Sequence, residues 1–451
     1  MVNMAHRDTC VYPRVLVVSA AALNRQTATG IAFCSLFEGW PADRLAQLHA
    51  DPVPPDARIC GQHLQLTLVD VPLDRAFRKL LQGWLRQVKR ADSGKVSVPP
   101  ASADPRICSG PEKWGVWLKH TASAWADLAR FSLSIEARNW MRAYDPDLIL
   151  SNLGSIRQIN LALEAARVVK KPIVPFFNDD WPSTHYRWTL GDFVPRQVLL
   201  RRLRQIIRTA PIGIGGSDYM AEEYQLRYGL TFEAFMNCVE VPDLPSVSPS
   251  KGAGARIRFI YTGGLQLERH NSLADIGSAI SNLHAEAELV IYAPESDLSL
   301  YAAELRGFPG LRIGGSLSAD QVIPTLRSAD VLVHVESFGQ AARDYTRLSL
   351  STKIPQYMAS GRPILAYGPG ETSSCRYIAD SGSGVVVGNR DATELAIAIR
   401  SLIEQPTLRD DLGRRGWERA RERHNSGVER SRFRDILALA ASSKMRGLQP
   451  A

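Results

Sequence analysis

Residues 349–371 read SLSTKIPQYMASGRPILAYGPGE, and the fold turns on this stretch. Ser351 and Thr352 suit a helix cap, and Pro355 suits a first turn, where no amide hydrogen is missed. Gly361 fits the left-handed stop position. Pro363 keeps the helix from resuming, and Ile364-Leu365-Ala366-Tyr367 is a short apolar run of strand type. Gly368-Pro369-Gly370 then turns the chain. Such a helix aims free amides and its positive dipole end at the residues around Lys353, which suits a phosphate. Just upstream, residues 329–339 read ADVLVHVESFG, an apolar strand that ends in Glu336 and a glycine. Ligands of open α/β sheets collect at the carboxyl ends of strands. Glu336 and the Lys353 helix are therefore expected to face one crevice.

The same grammar runs through the second half. Residues 257–265 (IRFIYTGGL) read as a buried strand entering a glycine turn at Gly263 and Gly264, with Arg269 and a helix over 272–283 behind it. Glycines let a diphosphate approach the backbone, and a nearby arginine supplies charge-assisted hydrogen bonds. Strands follow at 287–293, 311–315 and 384–387, with helices at 318–328, 392–404, 406–424 and 428–441. Strand and helix alternate over short loops, which predicts a parallel, doubly wound sheet.

The first half opens alike. Residues 14–19 (RVLVVS) read as a strand, 20–30 (AAALNRQTATG) as a loop and 31–40 as a helix. The loop is no Gly-x-Gly-x-x-Gly fingerprint, which speaks against a dehydrogenase. Strands are expected at 45–48 and 65–68, a basic amphipathic helix at 74–90, a Ser/Pro/Ala/Gly-rich loop at 91–111, and a long helical stretch over 114–144. Trp117, Trp125 and Trp140 on that stretch read as core aromatics rather than a stacking platform. The strand at 171–177 ends in Asn178-Asp179-Asp180, a polar strand-end cluster of the kind where an α/β protein keeps its chemistry. From Arg196 to Arg208 the sequence RQVLLRRLRQIIR carries no acid. It reads either as an amphipathic helix resting on a membrane surface or holding a lipid pyrophosphate, or as a surface helix with solvated arginines. Residues 243–255, rich in Pro, Ser and Gly, read as the linker.

Together these segments resemble the family-four retaining glycosyltransferases of GT-B fold, the glycosyl transferases group 1. Glu336-Ser337-Phe338-Gly339 is similar to the family's Glu-Gly-Phe-Gly-like turn, and residues 356–363 (QYMASGRP) to its Glu-Ala-Met-Ala-x-Gly-x-Pro helix. Two departures are visible. Gln356 stands where the family has a second acid, which usually holds the nucleotide ribose, and the gap between the motifs is longer than usual. The resemblance implies two Rossmann-like, doubly wound parallel-sheet domains facing across a cleft. They would comprise an acceptor-side domain over 1–242, a linker over 243–256, a nucleotide-sugar domain over 257–425, and a terminal helical segment over 426–451 packed back on the first domain. It implies transfer of a sugar from a nucleotide-diphosphate sugar to an acceptor hydroxyl, with retained configuration.

On that reading Arg269 and Lys353 neutralise the leaving diphosphate, aided by Ser351 and Thr352. Glu336 holds donor-sugar hydroxyls, or else caps the helix behind Phe338. Asn178 and Asp179 stand in the place of a family His-Asp pair, and Asp179 or Asp180 touches sugar or acceptor, or neither does. Gly263, Gly264 and Gln356 line the donor. In the family the first loop lies near the donor phosphates and the acceptor, which makes Asn24, Thr27, Thr29 and Gly30 candidates, with turn and cap duty as the alternative. No metal and no cofactor are expected. A saccharide or lipid-linked saccharide of cell-surface polysaccharide or glycoconjugate synthesis is the implied acceptor. The implied location is the cytoplasm or the inner face of the plasma membrane.

The bulk properties bound these readings. A chain of 451 residues is too long for one ordinary core. It shows no apolar run of about eighteen residues and no secretory pattern at its N-terminus. Its six cysteines lie far apart without a Cys-x-x-Cys pair, which argues against zinc and suits a reducing compartment. The net charge of +8 and pI near 9.2 fit a surface that meets anionic lipid heads or pyrophosphates, and equally an ordinary basic protein. Nucleic-acid binding is a weaker reading, because no aromatic-basic module is present. Two further alternatives keep the fold: a nucleotide-sugar 2-epimerase, disfavoured by the scarcity of well-placed histidines, and a non-catalytic nucleotide-sugar-binding scaffold.

Overall fold

A computed structural model describes residues 12–25, 27–66, 121, 123–128, 133–187, 189–243, 256–283 and 286–443. Two parallel sheets organise them. The first runs β3-β2-β1-β4-β5-β6-β7. Its strands are β1 (Val15–Ser19), β2 (Leu45–His49), β3 (Gln62–Gln65), β4 (Leu148–Asn152), β5 (Ile173–Phe177), β6 (Gly213–Gly215) and β7 (Phe232–Ala234). The second runs β10-β9-β8-β11-β12-β13. It comprises β8 (Ile257–Thr262), β9 (Ala287–Tyr292), β10 (Leu311–Gly315), β11 (Val331–Val335), β12 (Ile364–Tyr367) and β13 (Gly384–Val387). In both sheets the order reverses between the first and fourth strands, and a crevice opens at their carboxyl ends.

The central strands are apolar runs because helices cover both faces. β1, β5, β11 and β12 are buried at every residue. Glycines permit the closest approaches. A Cβ at Gly213 would lie 2.4 Å from the Phe232 ring, and one at Gly384 would lie 2.1 Å from the Ile364 carbonyl oxygen. Across the first sheet, the helix Ser426–Ser442 sinks Phe433, Leu437 and Ala440 among Val15, Phe33 and Phe37. The chain reaches it through the helix Pro406–Arg423 and a single bridge between Val239 and Asn425.

Several local expectations are corrected. The stop at Gly361 has a φ of +70°, but the helix before it spans only Ile354–Ala359, and Lys353 rather than Ser351 or Thr352 precedes it. The helix after β1 is Ala28–Phe37, because the Thr27 side chain accepts the Gly30 amide hydrogen and starts it early. The third strand lies at Gln62–Gln65, ahead of the predicted 65–68, whose last two residues fall outside the described ones. Within 114–144 a new helix, Ile135–Tyr144, begins at the Ser134 cap, so the stretch is not one helix. Trp140 packs on the core, whereas Trp125 is 50% exposed. Trp117, the helix at 74–90 and the loop at 91–111 lie outside the described residues, as do linker residues 244–255. Glu295–Leu305 and Ser373–Asp380 are helices that the sequence reading passed over. Among the described residues no helix is long and apolar enough to cross a membrane.

Candidate active site

The carboxyl ends of β8, β11 and β5 converge on one cluster. Glu336 follows β11 directly, is 3% exposed, and donates its backbone amide to the Tyr367 carbonyl at 3.0 Å. Gly368 makes this approach possible, since a Cβ there would stand 2.8 Å from Glu336 Cβ. Arg269 opens the helix Arg269–Asn282 and donates Nη2 to Glu336 Oε2 at 3.2 Å. Two consecutive non-glycine residues in the left-handed region, Leu267 and Glu268 (φ 56° and 59°), set that helix entry. Glu268 is held there by the Ser337 hydroxyl, which donates to Oε2 at 2.6 Å.

Lys353 arrives from the other side. Its Nζ stands 3.2 Å from the Tyr261 hydroxyl and 4.5 Å from that ring's centroid. It lies on the bare backbone of Gly263, where a Cβ would come within 2.3 Å of Nζ. Among the described residues no carboxylate reaches Lys353 within ion-pair distance.

The electrostatics follow from this packing. Burial alone would raise the Glu336 carboxyl, but the Arg269 guanidinium, with His334 and Lys353 behind it, holds it at about 2. Burial and then Arg269 push Lys353 down to about 7, against a partial pull from Glu336. Burial opposes the Arg269 charge and Glu336 favours it, with a net upward shift. Arg269 Nε is buried with no hydrogen-bond partner. Two desolvated cations thus face one carboxylate, and one of their donors is unspent. Such a site attracts an anion.

Asp179, just past β5, faces the cluster from the first sheet. Its oxygens accept hydrogen bonds from Ser349 at 2.7 Å and Tyr345 at 3.2 Å. Burial raises its pKa, against those hydroxyls and the Arg269 field, while Glu336 reinforces the rise.

Residues 256–405 match the model of the family Glycosyl transferases group 1. That match covers most of the second sheet and its helices. No curated protein sequence matches the chain. Solved structures match along nearly all of it. Sucrose-phosphate synthase from Thermosynechococcus elongatus has a TM-score of 0.59 at 13% identity, covering 95% of this chain and 100% of that one. HepE of Anabaena, solved with UDP, scores 0.56 at 12% identity over 94% and 99%. The α,α-trehalose 6-phosphate synthase from Burkholderia multivorans scores 0.57 at 15% identity over 98% and 100%. The fold is GT-B.

In this chain the long gap between the two motifs has a structural use. After the helix Gln340–Thr346 the chain crosses to the first sheet as a strap. Tyr345 and Ser349 hold Asp179, and Arg347 reaches Asp180 at 3.4 Å and Glu223 at 3.5 Å. Ser217 donates to the Leu348 carbonyl at 2.7 Å, and Asn237 to that of Thr352 at 3.0 Å.

Arg269, Glu336, Lys353, Gly263 and Asp179 are therefore brought together. Asp180 is not at their centre. It is buried under Tyr224 at 2.8 Å and Arg227 at 2.9 Å, a structural duty that its neighbour does not share. The glycine turn spends most of its amides on the protein itself. Gly263 donates to the Tyr292 carbonyl, and Leu265 to Asp297, so among these three only the Gly264 amide lacks a partner among the described residues. Among the described residues the side chains of Ser351, Thr352 and Gln356 make no hydrogen bond. Glu336 caps no helix, because Arg269 takes its carboxylate and the helix behind Phe338 has no side-chain cap.

In the first loop Thr27 is a helix cap. Thr29 accepts from Asn178 at 3.4 Å, and Gly30 is needed because a Cβ would lie 2.0 Å from the Asn24 carbonyl. Asn24 itself is buried beside Pro54. Sequence reasoning missed His334, whose Nε2 sits 3.2 Å from Glu336 Oε1 in an alignment too poor for a hydrogen bond; burial lowers its pKa. Its place one turn of the strand before Glu336, on the same side, was the available signal. Among the described residues no three His, Cys, Asp or Glu gather to hold a metal.

Proposed function

We propose that the protein transfers a sugar from a nucleotide-diphosphate sugar to an acceptor hydroxyl with retained anomeric configuration. The observation that carries this reading is the Arg269–Glu336–Lys353 cluster, two desolvated cations opposing one buried carboxylate at the crevice. HepE, similar in fold, is solved with UDP and with UDP-glucose, which supports a nucleotide sugar as the donor.

As the glycosidic bond stretches, negative charge grows on the leaving diphosphate. Arg269 stands ready for that charge without reorganising, and Lys353 joins it as its ammonium form is favoured by the arriving anion. Glu336, clamped by Arg269 and kept ionised, accepts hydrogen bonds from donor-sugar hydroxyls. The departing phosphate oxygen takes the acceptor proton, so no separate base is required. Asp179 lies on the acceptor side, where burial disfavours its ionised form and leaves it a hydrogen-bonding partner for a hydroxyl. Gln356 can still hydrogen-bond a ribose hydroxyl, less strongly than a carboxylate would. The acceptor is a saccharide or lipid-linked saccharide of cell-surface glycoconjugate synthesis.

A thermal-shift panel of UDP, GDP, ADP, TDP and CMP tests the donor half. A nucleotide at a hundredfold its dissociation constant stabilises by about 2.7 kcal/mol. One responder is expected, and its effect should vanish in Arg269→Ala and Lys353→Ala. No response to any of the five would remove the reading. Binding without turnover across acceptors would move the protein to a scaffold role, which the unpartnered Gln356 makes a specific alternative.

A further inference from the structure

The helix Phe193–Thr209 carries no acid, yet beyond its first turn its main apolar positions face inward. Leu199, Leu203, Ile206 and Ile207 are buried in the first sheet's core. An amphipathic helix lying with its own apolar face in lipid is therefore ruled out. What the helix presents to solvent is different. At its start Leu190 is 97% exposed, Phe193 68% and Val194 44%. Half-exposed Trp125 joins them, its indole donating to the Gly191 carbonyl at 3.0 Å. Scattered apolar residues on a surface need no explanation, but four gathered at one turn do.

Further along, three arginines stand in solvent. Arg201, Arg204 and Arg208 are exposed, and none meets a carboxylate among the described residues. Arg196 donates to the carbonyls of Pro182 at 2.5 Å and His185 at 3.0 Å, and Arg187 to that of Ser183 at 2.8 Å. Those contacts spend hydrogens without cancelling charge. Arg196, Arg204 and Arg208 line a cavity of about 460 Å³ floored by Leu200, Ile207 and Tyr228. No acidic residue lines it. Its other cation, Arg227, is already paired with Asp180 and Glu223.

We propose that this face docks on a lipid surface bearing anionic phosphate headgroups. The uncompensated arginines meet the phosphates, and the tip of Leu190, Phe193, Val194 and Trp125 enters the acyl boundary. A free phosphate or a nucleic acid would satisfy the arginines and leave the tip in water. A bilayer satisfies both. Arg227 connects the cavity to Asp180, which adjoins Asp179, so a docked membrane lies beside the acceptor side of the cleft. In its purpose, though not in its geometry, the inference rests on the lipid-linked acceptor proposed above.

The test is co-sedimentation of the full chain with phosphatidylcholine vesicles, with and without phosphatidylglycerol. Binding is expected only with the anionic lipid. The combined Arg201→Gln, Arg204→Gln, Arg208→Gln variant should bind about a hundredfold more weakly, from roughly a fivefold loss per arginine. Leu190→Ser with Phe193→Ser should weaken binding and leave the remainder abolished by salt. Inorganic phosphate, against chloride of equal ionic strength, should displace nothing. Equal binding to neutral vesicles, a triple variant that binds like the wild type, or displacement by phosphate would overturn the proposal. The thermal response to nucleotide should be unchanged in the triple variant. A wild type that pellets with anionic vesicles but answers no nucleotide would uphold this inference while removing the transferase.

Discussion

Two carboxylates sit on opposite sides of the cleft and have been treated oppositely. Glu336, at the end of β11, is buried against a guanidinium and kept ionised. Asp179, past the end of β5, meets two neutral hydroxyls, and its ionisation is disfavoured. Burial is the largest influence on both, and the nature of the partner decides the sign. The second sheet thus supplies fixed charge and the first supplies polarity. That division suits a reaction in which charge leaves on the donor and a neutral hydroxyl arrives from the acceptor.

The largest expected effect comes from removing the guanidinium. Arg269→Ala leaves Glu336 buried and unpaired, and urea unfolding should show a loss of roughly 3–5 kcal/mol. A loss under 1 kcal/mol would mean that water already compensates Glu336, and the contrast with Asp179 would collapse. Next comes Glu336→Gln, which keeps the shape and removes the charge. With the responding nucleotide sugar, kcat/KM should fall about a hundredfold, while nucleotide-diphosphate binding falls much less.

Lys353 sharpens the comparison through pH. Its ammonium is disfavoured until an anion arrives, so binding a diphosphate takes up a proton. Affinity should fall as pH rises above about 7, by at most about tenfold per unit. The slope should be absent in Lys353→Gln. A wild-type affinity flat between neutral and alkaline pH would show that Lys353 does not meet the phosphate.

The two acids should also mark acid stability with opposite signs. The contribution of Glu336 is present above its ordinary value of 4.5 and lost as pH falls toward 2. Asp179 has a raised folded pKa, so its contribution is present below its ordinary value of 3.8 and lost as pH rises beyond it. Relative to the wild type, Asp179→Asn should gain stability toward neutral pH and Glu336→Gln should lose it, as unfolding curves across that range would show. The smallest effect belongs to the strap. Tyr345→Phe or Ser349→Ala removes one hydrogen bond to Asp179 and should cost about 1–2 kcal/mol. Both hydroxyls hold the Asp179 pKa down against burial, so a further rise of that pKa in the double variant would tie the strap to the carboxyl.

The sheets were legible because their central strands are buried on both sides and read as continuous apolar runs, as in β8, β11 and β12. The helix stop was legible too, since Gly361 supplies a left-handed φ and Pro363 prevents continuation. Arg269, Glu336 and Lys353 came from motif position, and the structure draws them together. The strap was illegible because its partners are remote: Ser349 and Asp179 are 170 residues apart, and no local periodicity reports such a bond. The sequence could not separate Asp179 from Asp180, because what distinguishes them is Arg227 and Tyr224 arriving from another helix. Nor could it show which amides of the Gly263 turn are spent, since Tyr292 and Asp297, which consume them, lie on later elements.

The central claim is that the cation pair of the second sheet receives the donor diphosphate. An experimental structure of the chain with its responding nucleotide diphosphate tests that most directly. The account predicts the terminal phosphate within hydrogen-bond distance of both Arg269 and Lys353, with the Arg269–Glu336 pair intact. A phosphate bound elsewhere, with Lys353 still resting on Tyr261, would contradict it.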